Sequence, residues 1–185
     1  MKATRLKVER LVLAALFAAL SCAATMVIQI PSPMSGYVNL GDCFVLLSGV
    51  FLGPVWGFLA AGTGSMMADI LTGYAHYAPG TFLIKGLMAL VLCMIFRAMC
   101  TEKLHRSAAY LIAAVPAELL MIVGYFLYAC LLLGKGPAAA ASIPGNIMQG
   151  IFGVFSSFLL LKMLERVKFF KNLLCPRSGD SPNLK

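Results

Sequence analysis

Residues 39–73 read NLGDCFVLLSGVFLGPVWGFLAAGTGSMMADILTG. The stretch is apolar for two successive helix lengths, is broken at Gly53-Pro54, and carries only two charged residues, Asp42 and Asp69. Proline cannot continue a helix interior but suits a first turn, so Gly53-Pro54 marks a tight turn between two helices. An ionisable group in a membrane segment is costly and tends to face a cavity, a partner charge or a pathway. The stretch therefore predicts two adjoining membrane helices, over 39–53 and 54–73, with polar business at their ends. The first is short for a full crossing at about 1.5 Å per residue. It needs residues 37–40 as an extension, or a tilt with shelter from its neighbours.

The rest of the chain repeats this character. Of 185 residues, 61% are hydrophobic and 12% charged, against about 45–50% and 25% in a soluble domain; the mean hydropathy is +0.89. Apolar residues come in blocks, which identifies an integral membrane protein. A span needs about 20 of them, so the length admits five or six helices and no separate soluble domain. Six can be drawn, at roughly 10–30, 39–53, 54–73, 80–99, 108–133 and 142–164. The expected fold is an all-α membrane protein with one six-helix domain over 10–164. A basic N-terminus (1–9) and a basic tail (165–185) flank it, both cytoplasmic.

The net charge of +8 does not point to nucleic acid, because of where it lies. Lys2, Arg5, Lys7 and Arg10 precede the first block, Arg97, Lys103 and Arg106 separate two blocks, and Lys162, Arg166, Lys168, Lys171 and Arg177 follow the last. That is the loop bias that sets membrane orientation. With the N-terminus inside, six crossings place all three groups inside. The outer loops 31–38, 74–79 and 134–141 then contain one Lys (Lys135) and no Arg. The first block is too long for a signal-peptide core and is followed by further spans, so it reads as a retained helix. The six cysteines (Cys22, Cys43, Cys93, Cys100, Cys130, Cys175) form no C-x-x-C pair and read as small packing residues.

Small residues recur at the spacing that lets membrane helices approach closely. Gly49, Gly53, Gly57 and Ala61 form one ridge, continued by Gly62, Gly64 and Ser65, and read as packing within the chain. Ala15, Ala19 and Ala23 form another on the first helix. That one suits internal packing or the docking of another membrane subunit equally well.

The polar residues fall at one depth. Lys85, Asp69, Asn146, Gln149, Tyr125, Tyr128, Asn39 and Asp42 lie within roughly 12 Å of the outer surface, counted at about 1.5 Å per residue. Asn146 and Gln149, at i and i+3, share a helical face. Polar groups from five spans at one level predict an outward-opening pocket, the usual form of a small-molecule site. Tyr37, Tyr74, His76 and Tyr77 supply an aromatic lid or an interfacial belt. The plainer alternative for the charges is an Asp69–Lys85 ion pair clamping two helices. Glu118 lies deeper, and either pairs with an inner-side Lys or Arg or stays neutral in its apolar setting.

No G-x-x-x-x-G-K-[ST] loop, H-E-x-x-H or G-x-S-x-G is present, so neither ATP hydrolysis nor these catalytic centres is expected of the chain. Energised uptake would need a partner.

The ordered set 37–42 (YVNLGD), 52–57 (LGPVWG), 64–69, 73–86 (GYAHYAPGTFLIKG) and 143–149 (IPGNIMQ) resembles the S components of energy-coupling factor (ECF) transporters. The likeness extends over about residues 8–165. It implies a six-helix subunit that captures a vitamin or vitamin precursor outside. Such a subunit sits in lipid and docks with a transmembrane scaffold subunit and two cytoplasmic ATPases, with no nucleic acid, metal or cofactor. By the resemblance, Ala15, Ala19 and Ala23 match the family's docking pattern. The expected substrate-binding residues are Lys85, Tyr125, Asn146, Gln149, Tyr74, His76, Tyr77, Asn39 and Asp69. One Lys, two amides and several Tyr suit a small polar aromatic ring, with a pyridoxine- or hydroxymethylpyrimidine-like ligand expected first and riboflavin second. The rivals are a structural subunit of a larger membrane complex, such as a respiratory assembly, and a small intramembrane enzyme. The expected location is the cytoplasmic membrane of a bacterium.

Overall fold

The computed structural model describes residues 2–32, 36–100 and 104–174, with side chains for 8–30, 38–100 and 104–174. Lys2, Arg5, Lys7, Lys103, Arg177, Cys175 and the side chain of Tyr37, all named above, lie outside the described side chains. In chain order the elements are α1 (Lys2–Val27), strands β1 (Gln29–Ser32) and β2 (Gly36–Asn39), α2 (Gly41–Leu52), α3 (Pro54–Leu71), α4 (Ala78–Met99) and α5 (Arg106–Leu127). A π-helical turn (Tyr128–Leu132), a 3-10 turn (Gly136–Ser142), α6 (Ile143–Leu164) and α7 (Lys168–Leu173) complete it.

The centre of the fold is its shortest main helix. Every residue of α2 except Phe44 is buried, because α1, α3, α4, α6 and α7 all pack against it. Twelve residues reach only about 18 Å, so α2 meets the shelter that its short sequence required. Residues 37–39 do not extend it, however. They form β2, paired antiparallel with β1 in the register Gln29↔Asn39 to Ser32↔Gly36. Likewise α1 stops at Val27, and 28–30 lead into the hairpin rather than ending a span. Strand pairing satisfies backbone groups that a helix end would leave open.

Gly53 joins α2 to α3 at φ +85°, a region that side-chain-bearing residues rarely enter, and Pro54 starts α3 as expected. The glycine ridge packs within the chain. A Cβ at Gly49 would lie 2.3 Å from the Ala89 carbonyl oxygen of α4, and one at Gly64 2.3 Å from that of Ala18 on α1. The alanine ridge behaves oppositely. Ala14, Phe17, Ser21 and Thr25 face inward, whereas Ala15, Ala19 and Ala23 are exposed. Below the polar end the core is apolar and aromatic, built from Leu46 and Leu47 of α2, Met88, Leu92 and Phe96 of α4, and Tyr110 and Met121 of α5.

Four segments are long and apolar enough to cross a membrane: Val8–Val27, Ala78–Met99, Arg106–Leu132 and Gly136–Leu164. The protein is a helical membrane protein.

Candidate ligand-binding site

At the hairpin end of the bundle lies a partly open pocket with about 570 Å³ of empty space, the open solvent at its mouth included. Thr25, Asn39, Ser65, Asp69, Tyr74, Tyr77, Thr81, Lys85, Tyr125, Ser142, Asn146 and Gln149 line it. Eight of the nine side chains proposed from sequence are among them. His76 is not on the wall; its ring lies beside two residues that are, 6.3 Å from Tyr74 and 4.8 Å from Tyr77 between centroids.

The floor is a hydrogen-bonded relay across four helices and the hairpin. The Lys85 ammonium is paired with Asp42 Oδ1, so the partner of Lys85 is Asp42 and not Asp69. Asp42 is completely buried and Lys85 is 2% exposed. Gln149 Nε2 donates to the other Asp42 oxygen at 2.7 Å. Gln149 Oε1 in turn accepts from the backbone and side-chain nitrogens of Asn39, both at 3.2 Å. Asn39 Oδ1 accepts from Gly41 N at 2.8 Å and from the Thr25 hydroxyl at 3.4 Å.

The polar side chains divide into two roles. An amide has two acceptor sites and two donors, and the relay uses both acceptor sites on Gln149 and on Asn39. These two residues mainly hold the site together. Lys85 keeps two further N–H donors and lies 5.4 Å from the Tyr125 ring centre, a cation–π distance. Tyr125 donates to Thr81 at 3.0 Å. At the mouth Tyr77 packs 6.4 Å from Tyr125 and 6.0 Å from Tyr128, and its hydroxyl accepts from Lys135 at 2.9 Å. Aromatic faces beside an ammonium, a carboxylate (Asp69) and an amide (Asn146) can bind a flat polar ring.

The sequence reading left out Thr25, Thr81 and Ser142 and gave Ser65 only a packing role. Ser65 precedes Asp69 by four residues and Thr81 precedes Lys85 by four, which puts each pair on one helical face. That spacing was the available signal. Glu118 does not meet an inner-side Lys or Arg. It lies beside the floor, its carboxyl against Gly150 and Gly153 of α6.

A family model described as ECF-type riboflavin transporter, S component, matches residues 5–166. A Pyrococcus woesei protein described as an uncharacterized protein in the gap 3' region is 34% identical over 131 residues, 70% of this chain and 84% of that protein. Among solved structures, the S component of a bacterial ECF transporter superposes with a TM-score of 0.64 at 20% identity. It covers 86% of this chain and 97% of its own.

Proposed function

This chain belongs to the ECF-type riboflavin transporter S component family, and from that premise we propose that it captures riboflavin outside the cell for uptake powered by partner subunits. As a family member it is a substrate-binding membrane subunit of an ECF transporter, not a structural subunit of a respiratory type. The observation that carries the ligand reading is the pocket itself. Tyr74, Tyr77 and Tyr125 supply aromatic faces, and Lys85, Asp69 and Asn146 supply polar groups suited to a heteroaromatic ring with carbonyl and N–H edges. The family match moves riboflavin ahead of the smaller pyridoxine- or hydroxymethylpyrimidine-like ring expected from sequence.

In this reading the chain crosses the membrane six times, with both ends cytoplasmic and the hairpin end outside. The short α2 crosses inside a sleeve of the other helices, and α3 crosses beside it with Val55, Leu59, Met67, Ile70 and Leu71 on its exposed face. Ala15, Ala19 and Ala23 form the face that meets the scaffold subunit, which the two ATPases drive. Their exposure on α1 supports that role, because nothing within the described chain uses the ridge.

The test is titration of the purified protein with riboflavin, pyridoxine and hydroxymethylpyrimidine, read by native mass spectrometry and by flavin fluorescence. Riboflavin should bind one to one, with its emission quenched by the tyrosines. Preferential binding of either smaller ring would reassign the ligand. Failure of all three to bind, with uptake in intact cells unaffected by Lys85→Ala, would sink the reading.

A further inference from the structure

Few charged residues reach the hairpin end of the bundle. Besides His76, residues 28–96 hold only Asp42, Asp69 and Lys85, and residues 119–161 hold only Lys135. Lys85 and Asp42 pair with one another in the floor, so together they carry no net charge. The net charge of the pocket is then that of Asp69, which is 5% exposed and stands on the wall. Lys135 is not on the wall. It is half-buried at the mouth, donating to the Tyr77 hydroxyl at 2.9 Å, where solvent screens its charge. Glu118, beside the floor, brings no positive charge.

The helix ends treat the two aspartates differently. Asp42 stands in the first turn of α2, where the macrodipole favours a negative charge, and both its oxygens are engaged. Asp69 stands in the last turn of α3, which ends at Leu71, and there the dipole opposes it. Ser65, one turn earlier on the same face, lines the pocket with it. A buried carboxylate is costly in such a place, and an ionisable group within a membrane segment points to a functional site.

We propose that Asp69 sets the charge selectivity of the pocket: it accepts a hydrogen bond from a donor on the ligand and excludes the ligand's phosphate ester. This rests on the pocket being the vitamin site. An ionised carboxylate only accepts, so the group it faces presents an N–H or O–H, as the imide and hydroxyl groups of riboflavin do. A phosphate brings about −1.5 to −2 charges instead. Two unit charges about 8 Å apart, at an effective dielectric of about 20, repel by about 30-fold in affinity. The phosphate therefore need not touch Asp69; entering the pocket is enough. Lys85 does not offset the repulsion, because Asp42 already balances it. Rejecting the wrong ligand by an unbalanced charge is a general route to specificity.

The test compares each vitamin with its phosphate ester by calorimetric titration of the purified full chain. The pairs are riboflavin, pyridoxine and hydroxymethylpyrimidine, each with its own ester. Whichever vitamin binds, the wild-type protein should bind its ester at least about 30-fold more weakly. Asp69→Asn keeps an acceptor oxygen but removes the charge. Its affinity for the vitamin should fall by up to about 10-fold while its affinity for the ester rises. Should that variant fail to fold, Lys85→Met/Asp42→Asn removes the neutral pair, leaves Asp69, and must keep the wild-type preference. Equal wild-type binding of vitamin and ester overturns the proposal. So does an unchanged ratio in Asp69→Asn, or a lost preference in the double variant. Binding of a smaller ring in place of riboflavin reassigns the ligand, and its own ester then decides the role of Asp69. Binding of none of the three overturns both readings.

Discussion

Replacing Lys85 by methionine separates what this side chain does for the fold from what it does for a ligand. The substitution leaves the Asp42 carboxylate fully buried with only Gln149 as partner. Removing one member of a buried pair costs about 3–5 kcal/mol. At about 2–4 °C per kcal/mol for a chain of this size, the Tm should fall by roughly 6–20 °C. Adding Asp42→Asn removes the stranded charge while leaving a carbonyl oxygen for Gln149 Nε2, so the double variant should recover most of that loss. Ligand binding should not recover. A hydrogen bond from a charged donor is worth about 1.5–3 kcal/mol, so both the single and double variants should bind riboflavin about 10–150-fold more weakly. Differential scanning fluorimetry and flavin-quenching titrations on the same samples measure the two effects. A double variant that binds like wild type would show that Lys85 serves only the fold. A single variant that unfolds at the wild-type temperature would refute the buried-pair energetics.

Two further outcomes follow from packing. Gly64→Leu should lower stability by about 1–3 kcal/mol or more, because even its Cβ would stand 2.3 Å from the Ala18 carbonyl oxygen and α1 would have to move. Thermal unfolding checks it, and an unchanged Tm would mean α1 is not packed there. The double substitution Ala15→Leu/Ala19→Leu should change stability by no more than about 0.5 kcal/mol, since both sites are exposed. It should leave riboflavin affinity intact yet abolish co-purification with the scaffold subunit, and a surviving complex would remove the ridge from the docking surface.

The helices were legible because hydrophobic blocks, the Gly53-Pro54 break and basic clusters are local signals. The hairpin was not, since pairing Gln29 with Asn39 depends on contacts across the loop rather than on any alternation in 29–39. The polar layer was legible as a depth, and most of its members do line one pocket. Its wiring was not. Asp69 and Lys85 sit at matching depths on adjoining helices, which suggested a pair. What decides the partner of Lys85 is the burial of α2 at the centre of the bundle, which carries Asp42 to it across 43 residues of sequence. Depth is one-dimensional information, and pairing requires the arrangement around the axis.

That arrangement also explains why a polar pocket can exist in so apolar a chain. A membrane interior tolerates non-helical backbone only where protein buries it or it lines a cavity. The hydrocarbon layer is about 30 Å thick, and α2 fills only about 18 Å of it. In the six-crossing arrangement, roughly 12 Å above its first turn is left to the hairpin and the pocket. Asn39, just before α2, and Lys85 and Gln149, which bind Asp42 in its first turn, all line the cavity, so in that proposed arrangement the pocket lies beyond the N-terminal end of α2. The same shortness puts the N-terminal end of α2 at the floor, so its dipole and the Asn39–Gln149 relay both bear on Asp42. Lengthening α2 by a helical turn would fill the pocket and carry Asp42 away from Lys85 in a single step. The length of this one helix thus sets both the depth of the site and the charge at its base.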